Sequence, residues 1–375
     1  MISEFINEHK NEILQTYADL HKIPEWGYEE FKTSAYLQEK LKAHGITVIK
    51  CTETGFIAEI EGTEAGPCIG LRADIDALPF TNAQGETCYI HACGHDSHAT
   101  MAMWTLIALK ELGLVKHGKV REIFQPAEEK LTGALSMIKA GAGRGLDELY
   151  GVHIRPIQEL RSGQAAPALW HGGSTMAEVV VHGHAAHGAR PHLGANAIDG
   201  AALAILAINS IWLNPAEPWS AKVTRMHSGG AIVNLIPDRA VLSLDIRAAT
   251  NSLMEELLTK IKAVVAGAAI GAGCTAEFSI GDSVPAADYD QSAIDYLAAA
   301  ITTVLGKENL AKPIITPGSD DFHEYKVADP QLKTAFLALG SDAQPGLHDP
   351  HMFFNTEVII PGTKILVEAL VSRVK

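Results

Sequence analysis

The chain has 375 residues, 47% hydrophobic and 20% charged, with a formal net charge of −14 and a pI near 5.6. That length exceeds one ordinary hydrophobic core, so two domains are expected, and the composition excludes a disordered chain. An acidic balance with no basic block speaks against nucleic acid or an anionic membrane as partner, and no stretch reaches the roughly 20 uninterrupted apolar residues of a membrane span.

Five cysteines (Cys51, Cys68, Cys88, Cys93 and Cys274) are scattered and odd in number, which suits a reducing compartment. The first ten residues carry Glu4, Glu8 and Lys10 rather than a basic stub and an apolar core, so the cytoplasm is the expected location. Amphipathic helices are predicted at 2–21 and 28–44, broken by Pro24-Glu25-Trp26-Gly27. Strands follow at 47–60 and 67–71. The second runs into Arg72-Ala73-Asp74-Ile75-Asp76-Ala77-Leu78-Pro79, placing Asp74 and Asp76 on one face at a strand's C-terminal end, where α/β sheets build sites.

The densest chemistry is His91-Ala92-Cys93-Gly94-His95-Asp96-Ser97-His98. Cys93 and His95 alternate around a glycine, so a tight turn can aim sulfur and imidazole at one ion, a donor pair suited to zinc and its neighbours. A helix is predicted over 99–112 behind Asp96 and Ser97 as N-cap residues, and its N-terminus would favour a Cys93 thiolate. The next strand, 118–124, ends in Gln125-Pro126-Ala127-Glu128-Glu129. Two adjacent carboxylates there repel unless a cation intervenes, which leaves one to ligate and the other to handle a proton. A strand at 148–153 ends on His153. The strand and helix alternation over 46–156 predicts a mostly parallel α/β sheet.

From 174 the order becomes strand, helix, two strands, helix, strand, a βαββαβ unit of the ferredoxin-like kind inserted as its own small domain. A helix at 284–305 and a strand at 333–339 need the first sheet for burial. The expected organisation is therefore a first catalytic part at 1–173, an inserted lid at 174–283 and a second catalytic part at 284–375. His187, Asn234, Gly318 and Ser319 lie in polar, turn-rich loops, and Gly346-Leu347-His348-Asp349-Pro350 supplies one more imidazole.

In order and spacing these motifs resemble the M20 metallopeptidases, specifically the amidohydrolase branch of aminoacylases, hippurate hydrolases, indole-acetyl-amino-acid hydrolases and N-acetyl-diaminopimelate deacetylases. The resemblance implies two divalent cations, zinc or manganese foremost with cobalt or nickel tolerated, held by a bridging Cys93 with His95, Glu129, His153 and His348. It implies Glu128 as general base toward a water shared by the cations, and Asp74 and Asp76 at the floor of the site. Asp76 or Asp96 would fix a ligand imidazole. It further implies His187 as a lid histidine that reaches the reacting carbonyl, Asn234 and Arg247 as holders of the substrate carboxylate, and Gly318 and Ser319 as the pocket border. The implied substrate is an N-acyl amino acid with an acetyl or aromatic acyl group, and the implied assembly is a homodimer through the lid. A dipeptidase or carboxypeptidase of the same family and a catalytically silent metal-binding paralogue are the rival readings. Lys130-Leu131-Thr132 stands where relatives carry a glycine run, which leaves the pocket wall open.

Overall fold

A computed structural model describes residues 1–375. It comprises two compact units: Met1–Trp170 with Asp288–Ile315 and Asp320–Lys375, and His171–Ala287 with Thr316–Ser319.

The first unit is built on a seven-stranded sheet in the order Thr47–Lys50, Phe56–Glu61, His117–Gln125, Glu64–Asp74, Glu148–Pro156, Lys333–Ala343, Ala165–Ala166. The four central strands are parallel and the outer pairings antiparallel. Central parallel strands are covered on both faces, which is why Glu148–Pro156 is buried along its whole length. Helices His95–Glu111 and Ile359–Val374 pack on Glu64–Asp74, and Gly133–Lys139 packs on His117–Gln125. In register, Asp74 lies opposite Gln125 and Ala338 opposite His153. The strand ends that carry the candidate chemistry therefore share one edge.

Several elements depart from expectation. The single strand expected at 47–60 is a hairpin, because Cys51 and Thr52 donate backbone N–H groups to Gly55 O and turn the chain. A second hairpin, Leu78–Thr81 with Thr87–Ile90, was not anticipated. The helix expected from residue 284 starts at Gln291, because Val284 still belongs to strand Thr275–Val284. Helix His95–Glu111 begins four residues before the expected start, capped by Gly94, so Asp96 sits inside its first turn and is not the N-cap.

The second unit is a four-stranded antiparallel sheet in the order Trp219–Ser228, Arg239–Ala248, Gly173–His182, Thr275–Val284. Helices Ala197–Asn209 and Asn251–Gly271 cover it, with Val179, Val181, Leu242, Leu244, Leu257 and Ile261 in its core. The Asn196 and Thr250 side chains cap the two helices by accepting from Ile198 N and Leu253 N. The strand order, with the first strand's parallel mate separated from it by an antiparallel neighbour, is the split βαβ arrangement.

Candidate metal centre

Gly94 is the pivot of the site. Its φ of +88° lies in the left-handed region, and a Cβ there would fall 2.4 Å from Ile154 Cδ1, so only glycine lets Cys93 and His95 turn about it. The distant loop at His348 is tied to the same place, because His348 N donates to Ala92 O at 2.8 Å. As a result the donor atoms of Cys93, His95 and His153 all lie within 4.8 Å of one another, and so do those of Cys93, Glu129 and His348. The thiol is common to both triads. His95, Glu128 and Glu129 form a third group within the same limit.

The hydrogen-bond partners set the tautomers. His95 Nδ1 lies 3.1 Å from both Asp76 O and Asp76 Oδ1. These atoms only accept, so Nδ1 carries a hydrogen and Nε2 is the nitrogen turned toward the other donors. His153 Nδ1 donates to Ile154 O at 2.6 Å, which leaves its Nε2 as the acceptor toward Cys93 Sγ, 3.3 Å away. His98 is spent differently: its Nε2 accepts from Ile154 N and its Nδ1 donates to Asp74 Oδ1. It braces the site and has no lone pair left for a ligand. Of the two carboxylates expected to orient a ligand imidazole, Asp76 is the one bonded to His95. Asp96 instead pairs with His21, its Oδ2 2.6 Å from His21 Nδ1, because its place in the first helical turn aims it away from His95.

Electrostatics call for positive charge at this point. His95 Nε2 and Glu129 Oε1 are buried without hydrogen-bond partners, although only 3.8 Å separates them, and a cation beside both would satisfy them. Burial opposes charge on His95, yet Asp74 and Cys93 hold its pKa well above the ordinary value. Burial and the neighbouring Glu129 push the Cys93 thiol up to about 12, so the helix N-terminus expected to favour a thiolate does not outweigh desolvation without a metal. His153 is held neutral, well below its usual pKa, by burial and by His98. The donor set of one thiol, three imidazoles and one carboxylate thus fits a pair of divalent cations of the zinc type.

Glu128 and Glu129 are adjacent, but their surroundings shift them in opposite directions. Burial, together with Asp320, Glu129 and Asp321, pushes Glu128 well above the carboxylate range. Burial would raise Glu129 too, but His348 and His95 bring it below that range. Their turn is strained: Ala127 and Leu131, on either side, have φ of +54° and +55°, a region that costs a non-glycine residue about 1–3 kcal/mol. Glu30 secures it by accepting from Ala127 N at 2.9 Å.

Arg72, in sequence one residue of the segment that carries Asp74 and Asp76, organises the floor. Fully buried, it donates to Asp74 and Asp321 at 2.7 Å each and lies 3.4 Å from Asp320. The available signal was its spacing two residues before Asp74, which puts both on one strand face, together with the adjacent Asp320-Asp321 pair.

The remaining expected residues lie in the second unit. His187 is exposed, and strand Ala186–His187 pairs with Leu235–Ile236; Gly188 N donates to Asn234 O at 2.8 Å, which brings His187 and Asn234 together. Arg247 stands opposite Ser174, eight positions along its strand from Arg239 at the Asn234 end, roughly 27 Å away at strand rise. Ser319 Oγ donates to Gly172 O at 2.9 Å, so Gly318 and Ser319 belong to the Arg247 end. Asn234 and Arg247 thus lie a strand's length apart within the unit.

Residues 70–372 match the model of peptidase family M20/M25/M40. An N-acetyl-L-cysteine deacetylase of Bacillus subtilis is 29% identical over 364 residues, covering 93% of this chain and 85% of the relative. An N-acetyldiaminopimelate deacetylase of Streptococcus suis is 30% identical over 366 residues, covering 93% and 95%. Among solved structures, a Bacillus subtilis protein described as a dinuclear metal-binding peptidase of the M20 family superposes with a TM-score of 0.83 at 26% identity, covering 98% of this chain and 99% of that one.

Proposed function

The chain belongs to peptidase family M20/M25/M40, and from that premise we propose that it is a metal-dependent amidohydrolase that cleaves the amide bond of N-acyl amino acids, with an acetyl or small aromatic acyl group. The observation that carries this reading is the pair of donor triads meeting at Cys93, with His95 Nε2 and Glu129 Oε1 buried without a hydrogen bond and His348 Nε2 3.3 Å from Glu129 Oε1. The deacetylases named above support the substrate class.

In this reading Cys93, common to both triads, would hold two divalent cations together with His95, His153, Glu129 and His348. When bound, the cations supply polarisation of the amide carbonyl and a lowered pKa for the attacking water. Zinc or manganese suits the donors best. Glu128 takes the proton from that water and hands it to the departing nitrogen. Its raised pKa suits a group that must hold a proton between two steps. Glu129, held ionised beside it, stays a ligand. Arg72 fixes the side chains of Asp74 and Asp321 beside Glu128. His187, with Asn234 beside it, donates to the carbonyl oxygen as charge develops there. Arg247, the only cation in the candidate substrate set, takes the substrate carboxylate, with Gly318 and Ser319 at its end of the unit. A homodimer through the second unit belongs to the same reading, since strand Trp219–Ser228 has an unpaired edge and Leu206 and Trp212 are exposed. The five unpaired cysteines suit a reducing compartment, the cytoplasm, and no helix is long and apolar enough to cross a membrane.

The test is amine release by metal-reconstituted protein from a panel of N-acetyl and N-benzoyl amino acids beside dipeptides. Turnover of the acyl amino acids is expected. Turnover of dipeptides alone, or of nothing in fully metallated protein, overturns the assignment. Glu128→Gln is expected to lower kcat by about 10²- to 10⁴-fold at normal metal content, and retained turnover would remove Glu128 as the base.

A further inference from the structure

Next to the centre stands a cation that no anion answers. Lys130 directly follows Glu129, and its Nζ lies 4.9 Å from the centroid of the Trp26 ring and 5.4 Å from that of Tyr28. No carboxylate pairs with it, although the chain carries a net charge of −14. The nearby acids are committed elsewhere: Glu25 to Lys32 N, Thr33 N and Thr33 Oγ1, and Glu30 to Tyr28 N, Thr54 Oγ1 and Ala127 N. Ring faces stabilise a partly desolvated ammonium without neutralising it, and the group keeps N–H donors to spare.

The surroundings hold this cation in place and at the margin of the site. Trp26 forms a β-bridge with Ala77, the residue after Asp76. Tyr28 Oη donates to Thr132 Oγ1 at 2.9 Å. Gly27 makes room for the contact, since a Cβ there would lie 2.9 Å from Ala127 Cα and 3.3 Å from Lys130 Cδ. Tyr28 and Leu131 both have left-handed backbones, with φ of 69° and 55°, a conformation that such residues adopt only where the surroundings impose it.

We propose that Lys130, steadied by Trp26 and Tyr28, is an anion subsite at the edge of the metal centre that selects N-acyl amino acids bearing a second carboxylate. The proposal rests on the amidohydrolase reading above, in which Arg247 takes the α-carboxylate. The second carboxylate has two possible sources, an acidic amino-acid side chain or a dicarboxylic acyl group, and both present the same chemistry to an ammonium.

The test compares kcat/KM within isosteric pairs: N-acetylglutamate against N-acetylglutamine for the side-chain source, and N-succinyl-leucine against N-succinamoyl-leucine for the acyl source. A third pair, N-acetyl-leucine against its amide, reads the α-carboxylate. In one of the first two pairs the wild type should favour the acid, and Lys130→Met should lower that preference by about ten- to a hundredfold, mainly through KM. Lys130→Arg, which keeps the charge, should retain the preference. Titration of N-acetylglutamate into metal-loaded Glu128→Gln protein, with and without Lys130→Met, should show the same loss in affinity if the side-chain source holds. Equal preferences in the wild type and Lys130→Met for both of the first two pairs, or a loss confined to the α-carboxylate pair, overturns the subsite. Those outcomes leave the amidohydrolase reading standing, whereas no turnover of any substrate by metallated wild type removes that reading itself.

Discussion

Replacing Asp76 with Asn should weaken metal binding, because one buried carboxylate orients two proposed ligands. Its Oδ1 lies 3.1 Å from His95 Nδ1, its Oδ2 accepts from Glu129 N at 3.0 Å, and it is fully buried. An amide can reproduce only one of these contacts. If its oxygen faces His95, the NH₂ group points at the Glu129 N–H, and a buried unpaired donor costs about 1–3 kcal/mol. If its oxygen faces Glu129, the NH₂ group meets His95 Nδ1, and either two donors oppose each other there or the imidazole hydrogen moves to Nε2, which gives up the bond to Asp76 O and blocks the nitrogen proposed for the metal. Either way a loss of about 10- to 100-fold in metal affinity is expected, equivalent to about 1.4–2.8 kcal/mol. Competition with a chromophoric chelator reads this directly, and kcat at saturating metal separates weaker binding from damaged chemistry. An Asp76→Asn protein with a native circular dichroism spectrum and metal affinity within about twofold of wild type would refute the argument that this carboxylate sets the tautomer.

Cys93→Ala removes the atom common to both triads, so elemental analysis after desalting should find fewer than two ions per chain; a full complement would contradict a bridging thiolate. His187→Ala should lower kcat by about 10²- to 10³-fold with metal content unchanged, whereas wild-type kinetics would reduce this residue to a turn element. Glu122 is buried with neither carboxylate oxygen partnered, and burial raises its pKa well above the ordinary value. The folded state therefore holds a proton that the unfolded chain releases in the ordinary carboxylate range. Stability falls as pH rises from that range through the folded pKa, by about 1.4 kcal/mol per pH unit. Glu122→Gln should remove this slope, matching wild type near pH 4 and exceeding it in thermal midpoint by a margin that widens as pH rises; a pH-independent difference would show that Glu122 is ionised in the fold.

Much of the architecture is legible in the sequence. The parallel core could be read because each strand ended in a change of residue type: Asp74 after an apolar run, Glu128 and Glu129 after 118–124, His153 after 148–152. The split βαβ unit was legible because its helices and strands alternate in hydrophobic period. The hairpin Leu78–Thr81 with Thr87–Ile90 was not, since its short, half-exposed strands carry little periodic signal. The start of helix His95–Glu111 was misplaced because Asp96 and Ser97 have the composition of caps, while the actual cap is Gly94 in a left-handed conformation, imposed by Ile154 some 60 positions on.

What the sequence determined by itself was the inventory: which donors exist, that Cys93 and His95 flank a glycine, that two carboxyls are adjacent at 128 and 129, and that an imidazole ends the strand at 153. These are properties of neighbours along the chain, where covalent geometry limits the choices. Tertiary structure alone decided how each donor is used. It assigned the His95 hydrogen to Asp76 and not to Asp96, spent both nitrogens of His98, shifted Glu128 and Glu129 in opposite directions, and set Asn234 and Arg247 a strand's length apart. The direction of a lone pair and the charge on a buried carboxyl depend on groups up to about 250 positions away, such as Asp321 on Arg72, and folding alone brings such groups within hydrogen-bonding range.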